Sequence, residues 1–357
     1  MTSETLPDRE SRDWQTVRDD TVRFALVGVG WWTQEFVLPA VEASDLCTTT
    51  TVVTSSAEKA ASVREEYDSV ERALTYEEFH DGAAADDYDA VYVCTPNATH
   101  LEYVESAAAQ GKPVLCEKPM EATRERAESL VEAVDDADGT LMVAYRMHTE
   151  PAVRDARALV RDGAIGDPVL LVGENSQPLL EMIPDPDQWR LDPDLTGYGA
   201  SVMDLGVYPL NTARFIVDAD PVSVQASMRS EEDAFADVPD EHAVFSVEYD
   251  DGTLASFSSS QNGSDETRLE VVGTDGRIEL EPAFHMDTAL SVTVDGETVE
   301  VETDEVDQME YEFDYFANQL LADEPMYADG EHALVDMRAL EAIYEAAETG
   351  ETVAVDE

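Results

Sequence analysis

Residues 22–146 alternate short, mostly apolar segments with longer amphipathic ones, and this alternation limits the possible folds more than any other feature of the chain. The apolar segments are 22–28, 49–54, 90–95, 113–117 and 140–145, and the amphipathic ones include 57–67, 99–110 and 123–134. Strands that are apolar throughout are buried on both faces, and helices between them cover those faces. The pattern therefore predicts an α/β domain with a parallel, doubly wound sheet.

The pattern changes after Met147. Helices are predicted at 151–162 and 201–216, strands at 223–228, 243–249, 254–260, 269–273, 277–280, 289–294 and 299–301, and two closing helices at 310–323 and 331–349. Because these strands cluster instead of alternating with helices, they predict an α+β domain with a mostly antiparallel sheet. The expected division is a tail at 1–20 with Trp14 as a candidate docking residue, a nucleotide-binding domain at 21–147, a second domain at 148–330, and a closing helix and tail at 331–357.

The charge balance excludes several classes of function. The chain has 80 acidic and 21 basic residues and a net charge of -59, while 43% of its residues are hydrophobic, which is enough for folded cores. Nucleic-acid binding needs a basic surface, and the sequence offers none.

The carboxylates of so acidic a surface repel each other, and high salt screens this repulsion. We therefore expect a halophilic, cytoplasmic protein. No segment has transmembrane length and the first 20 residues have no signal-peptide core, so no membrane partner is expected.

Neither a disulfide framework nor a catalytic metal is expected. Cys47, Cys94 and Cys116 are odd in number and have no CxxC spacing. Two of them end apolar strands, where packing in a reducing compartment is the simpler interpretation. The histidines and acidic residues show no spacing typical of metal ligands.

A glycine turn follows the first predicted strand. Gly28 permits a tight turn there, and Gly30 lets the backbone approach a pyrophosphate at the start of the next helix. A strand, this turn and a helix in one βαβ unit predict a dinucleotide site. Thr33 occupies the third position, where glycine or alanine is usual, so the packing of helix on strand must open slightly. Trp31 and Trp32 follow the turn and are candidates to flank the cofactor, with core packing as the alternative.

The end of the second strand favours NADP over NAD. NAD-dependent enzymes place an acidic residue there for the ribose 2′-hydroxyl. This chain instead has hydroxyl groups and one of its three lysines, in the order Thr54, Ser55, Ser56 and, three residues later, Lys59. A 2′-phosphate would gain charge-assisted hydrogen bonds there. The alternative is an ordinary helix start with Thr54 or Ser56 as its N-cap, and Glu58 is the one nearby acid.

Three residues are candidates for the chemistry. Asp204 and Tyr208 are four residues apart on a predicted helix and so share a face. Lys118 ends a parallel strand, where doubly wound folds bind ligands. A tyrosine can act as a base when a cation lies nearby, so we expect Tyr208 to take a hydroxyl proton, Lys118 to keep it acidic, and Asp204 to orient the substrate. Lys118 as the base is an open alternative, as is an ordinary helix carboxylate at Asp204 with Tyr208 in an interface.

Further cofactor candidates lie at the ends of strands and in loops. They are Thr95, Pro96 and Asn97 beside the nicotinamide ribose, His100 at the start of the following helix, Glu117 before Lys118, and Arg146 and Arg190 in loops. His100 has a packed or capping histidine as its alternative. Both arginines have surface ion pairs as theirs.

Several segments together resemble the glucose–fructose oxidoreductase/inositol dehydrogenase (Gfo/Idh/MocA) family over residues 22–350. They are the glycine turn, Cys94-Thr95-Pro96-Asn97-Ala98-Thr99-His100, the Gly111–Pro119 segment with Glu117-Lys118-Pro119, the 197–211 segment with Asp204-Leu-Gly206-Val-Tyr208, and 325–350. The resemblance implies a Rossmann domain, a second domain whose open sheet serves oligomer contacts, and a Lys118–Pro119 bond that is often cis. Tyr198 departs from the family, which prefers glycine there.

The same resemblance implies the activity. Segments 28–33, 145–151 and 185–191 resemble most the haloarchaeal NADP-dependent sugar 1-dehydrogenases of this family. We therefore expect NADP-dependent oxidation of an aldose, D-xylose favoured, at C1 to the lactone, by a homo-oligomer. The alternatives are a trans-dihydrodiol or other cyclic polyol dehydrogenase, transhydrogenation of the glucose–fructose oxidoreductase type, and a non-catalytic sugar or nucleotide sensor.

Overall fold

The computed structural model describes residues 20–356, which form two compact units that are discontinuous in sequence. The first unit contains residues 20–146 and 307–334, and the second contains 147–306 and 335–356. The predicted tail at 1–20, with Trp14, lies outside the described residues apart from its last position. The sequence-based division assigned 307–330 to the second domain, whereas this segment returns to the first unit.

The first unit is built on a six-stranded parallel sheet with the order β3-β2-β1-β4-β5-β6. Its strands are β1 (Val22–Val27), β2 (Cys47–Val53), β3 (Arg72–Leu74), β4 (Ala90–Val93), β5 (Val114–Glu117) and β6 (Leu141–Ala144). The central strands β1 and β4 are almost wholly buried, as expected for a sheet with both faces covered. β3 was not predicted, because it has three residues and sits at the edge, where its side chains need not be apolar.

Helices cover this sheet, and some of them begin at a capping side chain. They are α1 (Leu38–Ala43), α2 (Ala57–Glu66), α3 (Tyr76–His80), α4 (His100–Ala109) and α5 (Arg124–Asp136), with a π-helical turn at Thr33–Val37 and 3-10 turns at Ala85–Asp87, Asn97–Thr99 and Arg146–His148. Thr75 and Glu78 form a capping box before α3, and the Thr123 side chain caps α5.

The returning helix, Gln308–Ala322, belongs to the first unit because it packs against the sheet. The ring of Phe313 lies 5.0 Å from the ring of Phe24 in β1 and 5.0 Å from the ring of Tyr92 in β4, measured between centroids. All three side chains are fully buried. Burial of aromatic rings at these distances stabilises the attachment of a segment that is distant in sequence.

The second unit is built on a nine-stranded sheet with the order β14-β13-β12-β11-β7-β10-β9-β8-β15. Its strands are β7 (Pro168–Pro178), β8 (Pro221–Arg229), β9 (His242–Tyr249), β10 (Leu254–Ser260), β11 (Asn262–Gly273), β12 (Gly276–Leu280), β13 (Leu290–Val294), β14 (Glu297–Val301) and β15 (Val353–Ala354). β7 pairs with β10 in parallel, and the other pairs are antiparallel. The predicted fold class, a parallel doubly wound domain with a mostly antiparallel second domain, is confirmed.

β7 was not predicted as a strand because its second half is polar. Buried Asn175 lies in this half, and its amide nitrogen donates to the carbonyl oxygen of Leu205 at 3.1 Å. Asn175 therefore binds the helical segment that contains Leu205. Because polar side chains occupy this half of β7, its sequence lacks the apolar pattern of a buried strand.

Helices cover one face of the second sheet. They are α6 (Pro151–Arg161), α7 (Leu179–Met182), α8 (Pro193–Thr196), α9 (Val207–Val217) and the closing helix Gly330–Thr349, with a π-helical turn at Val202–Gly206 and 3-10 turns at Trp189–Leu191 and Asp233–Phe235. Buried Asp336 of the closing helix pairs with Arg214 of α9 at 2.8 Å and accepts a hydrogen bond from Asn211 at 2.8 Å. Removing Arg214 would leave the buried charge of Asp336 uncompensated, whereas Arg214 also pairs with Asp220 at 2.6 Å.

The opposite face of the second sheet is open. Leu170, Val244 and Leu254 are about half exposed on it, while the alternate side chains of β9 and β10 are buried beneath. Among residues 20–356, no helix is both long and apolar enough to span a membrane. Within the same residues, no group of three or more histidines, cysteines and acids could hold a metal ion.

Candidate active site

The turn after β1 has the geometry of a phosphate-binding turn. Gly28 has a φ of 93°, and a side chain there would collide with the carbonyl oxygen of Cys94. Gly30, in contrast, faces open space, as needed where a backbone receives a ligand. The Thr33 hydroxyl is buried and donates to the carbonyl oxygen of Gly28 at 2.7 Å. Thr33 also begins the π-helical turn Thr33–Val37.

The tryptophans after this turn have different environments. Trp31 is half exposed, whereas Trp32 is partly buried and packs against Phe36, with the two rings tilted and their centroids 4.5 Å apart. The guanidinium of Arg146 lies 5.9 Å from the Trp32 ring centroid and donates to the amide oxygen of Gln308. Arg146 and Gln308 are both buried, so Arg146 is fixed within the first unit by its contacts with protein groups.

The residues predicted to select the cofactor lie at the end of β2. Thr54 is buried, and its hydroxyl accepts a hydrogen bond from the backbone N–H of Ser56 at 3.2 Å. The Ser56 hydroxyl accepts from the N–H of Lys59 at 3.2 Å and thereby caps α2. The capping alternative is therefore observed for Ser56. Ser55 and Lys59 are exposed at this helix N-terminus, a place that suits an anion.

The segment after β4 is fixed by its own hydrogen bonds. The Thr99 hydroxyl donates to the carbonyl oxygen of Pro96 at 2.7 Å and lies 2.9 Å from the Thr95 hydroxyl, and Asn97 is buried. His100 is also buried, with its Nε2 2.9 Å from the Thr95 carbonyl oxygen and its Nδ1 3.1 Å from the Met120 carbonyl oxygen. Both ring nitrogens of His100 thus contact the protein backbone.

Lys118 follows β5 in a segment with a cis Lys118–Pro119 bond. Glu117 accepts a hydrogen bond from the Tyr92 hydroxyl at 2.6 Å with one oxygen, and from the backbone N–H of Lys118 at 3.1 Å with the other.

Glu312, in the returning helix, is fully buried, and neither of its oxygens has a hydrogen-bond partner. Burial raises the pKa of the Glu312 carboxyl well above its ordinary value, and the charge of Glu117 adds to the increase, while Arg146 opposes it.

In the second unit, Asp204 lies in a polar cluster. Its Oδ2 accepts a hydrogen bond from Arg190 Nε at 3.2 Å and another from Gln261 Nε2 at 2.9 Å, and the Gln261 amide oxygen accepts from Gln177 at 2.8 Å. Arg190, predicted as a cofactor residue, is therefore brought to Asp204. Gln261 and Gln177 were missed, although Gln261 directly follows β10 and a polar residue at a strand end was a usable signal.

Tyr208 lies in the first turn of α9, after the π-helical turn that holds Asp204. Its ring lies 6.1 Å from that of Phe284, between centroids, and both Asp204 and Tyr208 are partly exposed. The two residues belong to one continuous helical segment, as predicted. Lys118, the third predicted catalytic residue, belongs to the first unit.

A buried carboxylate holds the start of this helical segment. Asp240 accepts hydrogen bonds from the N–H groups of Ala200 and Val202, each at 2.7 Å, and from the Tyr344 hydroxyl at 2.6 Å. Burial raises the pKa of Asp240, and these hydrogen bonds oppose the increase. A side chain at Gly199 would collide with Asp240 and Tyr344. Asp240, which sequence reasoning missed, therefore fixes the position from which Asp204 and Tyr208 project.

Tyr198 lies in the same glycine-containing loop. Its hydroxyl donates to Glu341 of the closing helix at 2.8 Å, and its ring lies 5.6 Å from that of Tyr344, between centroids. The tyrosine at this position therefore ties the loop to the closing helix.

Comparison with known proteins agrees with this architecture. Residues 22–145 match the model of the oxidoreductase family with an NAD-binding Rossmann fold, and residues 153–279 match the GFO/IDH/MocA C-terminal domain. The D-xylose 1-dehydrogenase [NADP(+)] of Haloarcula marismortui is 55% identical over 351 residues, which are 97% of each chain. A D-xylose 1-dehydrogenase (NADP(+)) of Haloferax volcanii is 32% identical over 93% of this chain and 99% of its own.

Among solved structures, the aldose-aldose oxidoreductase of Caulobacter crescentus, crystallised with glycerol, has a TM-score of 0.87 and 31% identity. The match covers 94% of this chain and 99% of that one. Both family models, the relatives that match along their whole length and the solved structure indicate the same family. The chain belongs to the GFO/IDH/MocA family of oxidoreductases.

Proposed function

We propose that this protein oxidises the C1 hydroxyl of a cyclic aldose, with D-xylose favoured, to the lactone and passes the hydride to NADP. The observation that carries the proposal is the 55% identity with the Haloarcula marismortui D-xylose 1-dehydrogenase [NADP(+)] over 97% of both chains. A match of this length includes the glycine turn, the Lys118 segment and the helical segment with Asp204 and Tyr208. The 32% identical relative from Haloferax volcanii, also a D-xylose 1-dehydrogenase, supports the same substrate and cofactor.

The first unit fits a dinucleotide. When bound, NADP supplies the acceptor for the hydride that leaves C1. Gly28 and Gly30 would admit its pyrophosphate to the backbone N–H groups at the start of the helical segment after β1. Ser55 and Lys59, exposed at the N-terminus of α2, would bind the 2′-phosphate. The residues Thr95 to Asn97 would border the nicotinamide ribose.

Replacing Lys59 by alanine tests the assignment of the 2′-phosphate. We expect the affinity for NADP to fall about tenfold, since a charge-assisted contact is lost, and the affinity for NAD to stay the same. Binding is measured by fluorescence titration of both nucleotides. Arg64→Ala removes an equal charge from the exposed side of the same helix and should leave both affinities unchanged. An equal loss of affinity for NAD and NADP in Lys59→Ala would refute the assignment.

We assign the proton transfer to Tyr208. In this mechanism the phenolate of Tyr208 accepts the C1 hydroxyl proton, the C1–H bond breaks as its electron pair leaves with the hydride, and a carbonyl forms at C1. Lys118 would stabilise the phenolate by its positive charge. Asp204 would accept a hydrogen bond from a sugar hydroxyl. The hydrogen bonds of Arg190 and Gln261 to Asp204 support this role, because they hold the carboxyl group in one position.

Tyr208→Phe keeps the ring beside Phe284 and removes only the hydroxyl. We expect kcat to fall about 10²-fold or more, because general acid–base catalysis contributes this much, with NADP affinity unchanged. Tyr67→Phe removes a comparable hydroxyl elsewhere and should have wild-type turnover. If Tyr208→Phe turns over at a near-wild-type rate, Tyr208 is not the base, and a matching loss in Lys118→Ala would assign the proton to Lys118.

A second candidate is transhydrogenation between two aldoses with a cofactor that stays bound. The structural match to the aldose-aldose oxidoreductase of Caulobacter crescentus, at 31% identity, favours it as the alternative. The two reactions share the oxidation of the first sugar. They differ in whether reduced NADP leaves the protein or is reoxidised by a second aldose.

The function is tested by mixing the protein, NADP and a panel of sugars in about 1 M salt or more, where charge repulsion is screened. We expect reduced NADP to accumulate with D-xylose at a higher kcat/KM than with hexoses or cyclic diols. Lactone formation that needs a second aldose and releases no reduced NADP would indicate transhydrogenation. No turnover with any sugar, despite NADP binding, would indicate a sensor.

We also propose a halophilic, cytoplasmic homo-oligomer that assembles through the open face of the second sheet. The net charge of -59 supports the first point. Exposed Leu170, Val244 and Leu254 on adjacent strands support the second, because a second copy would cover this apolar surface. Sedimentation of the wild type against Val244→Glu in high salt tests the assembly, and an unchanged mass in the variant would argue against this face.

A further inference from the structure

His100 has an unusual set of hydrogen-bond partners. It is the first residue of α4, its side chain is fully buried, and its two ring nitrogens contact the carbonyl oxygens of Thr95, at 2.9 Å, and of Met120, at 3.1 Å. Carbonyl oxygens only accept hydrogen bonds. A ring nitrogen that carries a proton donates to the carbonyl oxygen it faces, and the one buried ring contacts a carbonyl group on each side.

The charged groups around His100 come from three elements. From the segment after β5, the buried carboxylate of Glu121 accepts a hydrogen bond from the backbone N–H of Leu101, the residue next to His100, and Lys118 lies in the same segment. From α5, Arg126 pairs with Glu121 at 2.9 Å, and it also binds Glu102 of α4. The thiol of Cys116, also buried, lies 3.9 Å from the Met120 carbonyl oxygen. Glu121 is already paired with Arg126, so the direct partners of the His100 ring are the two carbonyl groups.

The two carbonyl groups belong to the two segments that carry proposed site residues. Thr95 precedes Pro96 and Asn97 at the end of β4, and Met120 lies two residues after Lys118 at the end of β5. Contacts of one buried ring with both carbonyl groups fix the distance between these segments. We propose that His100 is a positioning residue whose ring joins the Thr95–Asn97 segment to the Lys118 segment.

The ring contacts are measured directly on the wild-type protein by ¹⁵N NMR of histidine-labelled samples, without any ligand. His100 is assigned as the signal that disappears in His100→Gln. We expect the ring N–H of His100 to exchange slowly with water, because the ring is buried and lies against two backbone carbonyl groups. A ring N–H of His100 that exchanges as fast as that of exposed His80 would overturn the proposal. Because no sugar or NADP is present, this result is independent of the proposed function.

The positioning role is measured in variants, and this part rests on the proposed function. His100→Gln keeps one donor and His100→Leu keeps none, so we expect NADP affinity and kcat to fall in the order wild type, Gln, Leu, with about a tenfold loss or more in affinity for Leu. His80→Gln is the matched control, since His80 is an exposed histidine of the same unit whose Nδ1 contacts the Ser106 hydroxyl at 2.7 Å.

The outcomes separate positioning from simple stability. Thermal unfolding of each variant shows whether it is folded under the assay conditions. A His100 variant that is less stable but binds NADP and turns over like the wild type would overturn the positioning role. If His100→Leu does not fold, His100→Gln and the NMR experiment decide the question. If the wild type binds NADP but oxidises no sugar, the proposed function fails, and the binding comparison still tests the connection between the two segments.

Discussion

The proposed cofactor site depends on the edge at which the parallel strands of the first sheet end. Strands that run in one direction bring their carboxyl ends to the same edge, and this geometry places the loops after them side by side. β1 ends in the glycine turn, β4 ends before Thr95, and β5 ends at Glu117. The sheet thus brings together segments that are roughly 20 to 90 residues apart in the chain, without requiring a specific contact between their side chains. Hydrogen bonds of buried groups, such as those of His100, then fix the loops relative to each other.

In the second unit, the candidate residues are positioned by the start of a helical segment on the sheet. The first N–H groups of this segment have no partners within the helix. Asp240 satisfies two of these groups with one buried carboxylate, and Tyr344 adds a further hydrogen bond to it. Such a group is costly to bury and stabilises the structure only because it is fully paired. The close approach to Asp240 also explains why position 199 is a glycine.

The fold and the site differ in how far the sequence predicts them. Apolar strands with glycine turns are signalled by neighbouring residues, so the parallel sheet and the Gly28 turn were predicted, and the observed φ of 93° at Gly28 agrees with that prediction. The start of α2 also has a local signal, and Ser56 caps it. β7 was missed because it carries buried Asn175, which donates to the carbonyl oxygen of Leu205, 30 residues away. A polar residue that serves such a distant contact interrupts the apolar pattern from which a strand is predicted.

The polar groups behind the proposed catalytic residues were missed for the same reason. Gln261 contacts Asp204, Gln177 contacts Gln261, and Asp240 contacts the start of the helix, all from distant parts of the chain. Gln261 had a local signal in its place after a strand, whereas no local pattern identifies Gln177 or Asp240. His100 was predicted as a possible cofactor residue from its place at a helix start. Only the folded chain brings the carbonyl of Met120, 20 residues away, to its ring.

The central claim is that a hydride leaves C1 of an aldose for the nicotinamide ring of NADP. The most direct test uses D-xylose that carries deuterium at C1, with NADP and the protein in high salt, and determines where the label goes by mass spectrometry and NMR. We predict that the deuterium is found in the reduced nicotinamide and that the product lactone contains none. Deuterium that stays in the sugar product, or reduced NADP without the label, would contradict the account.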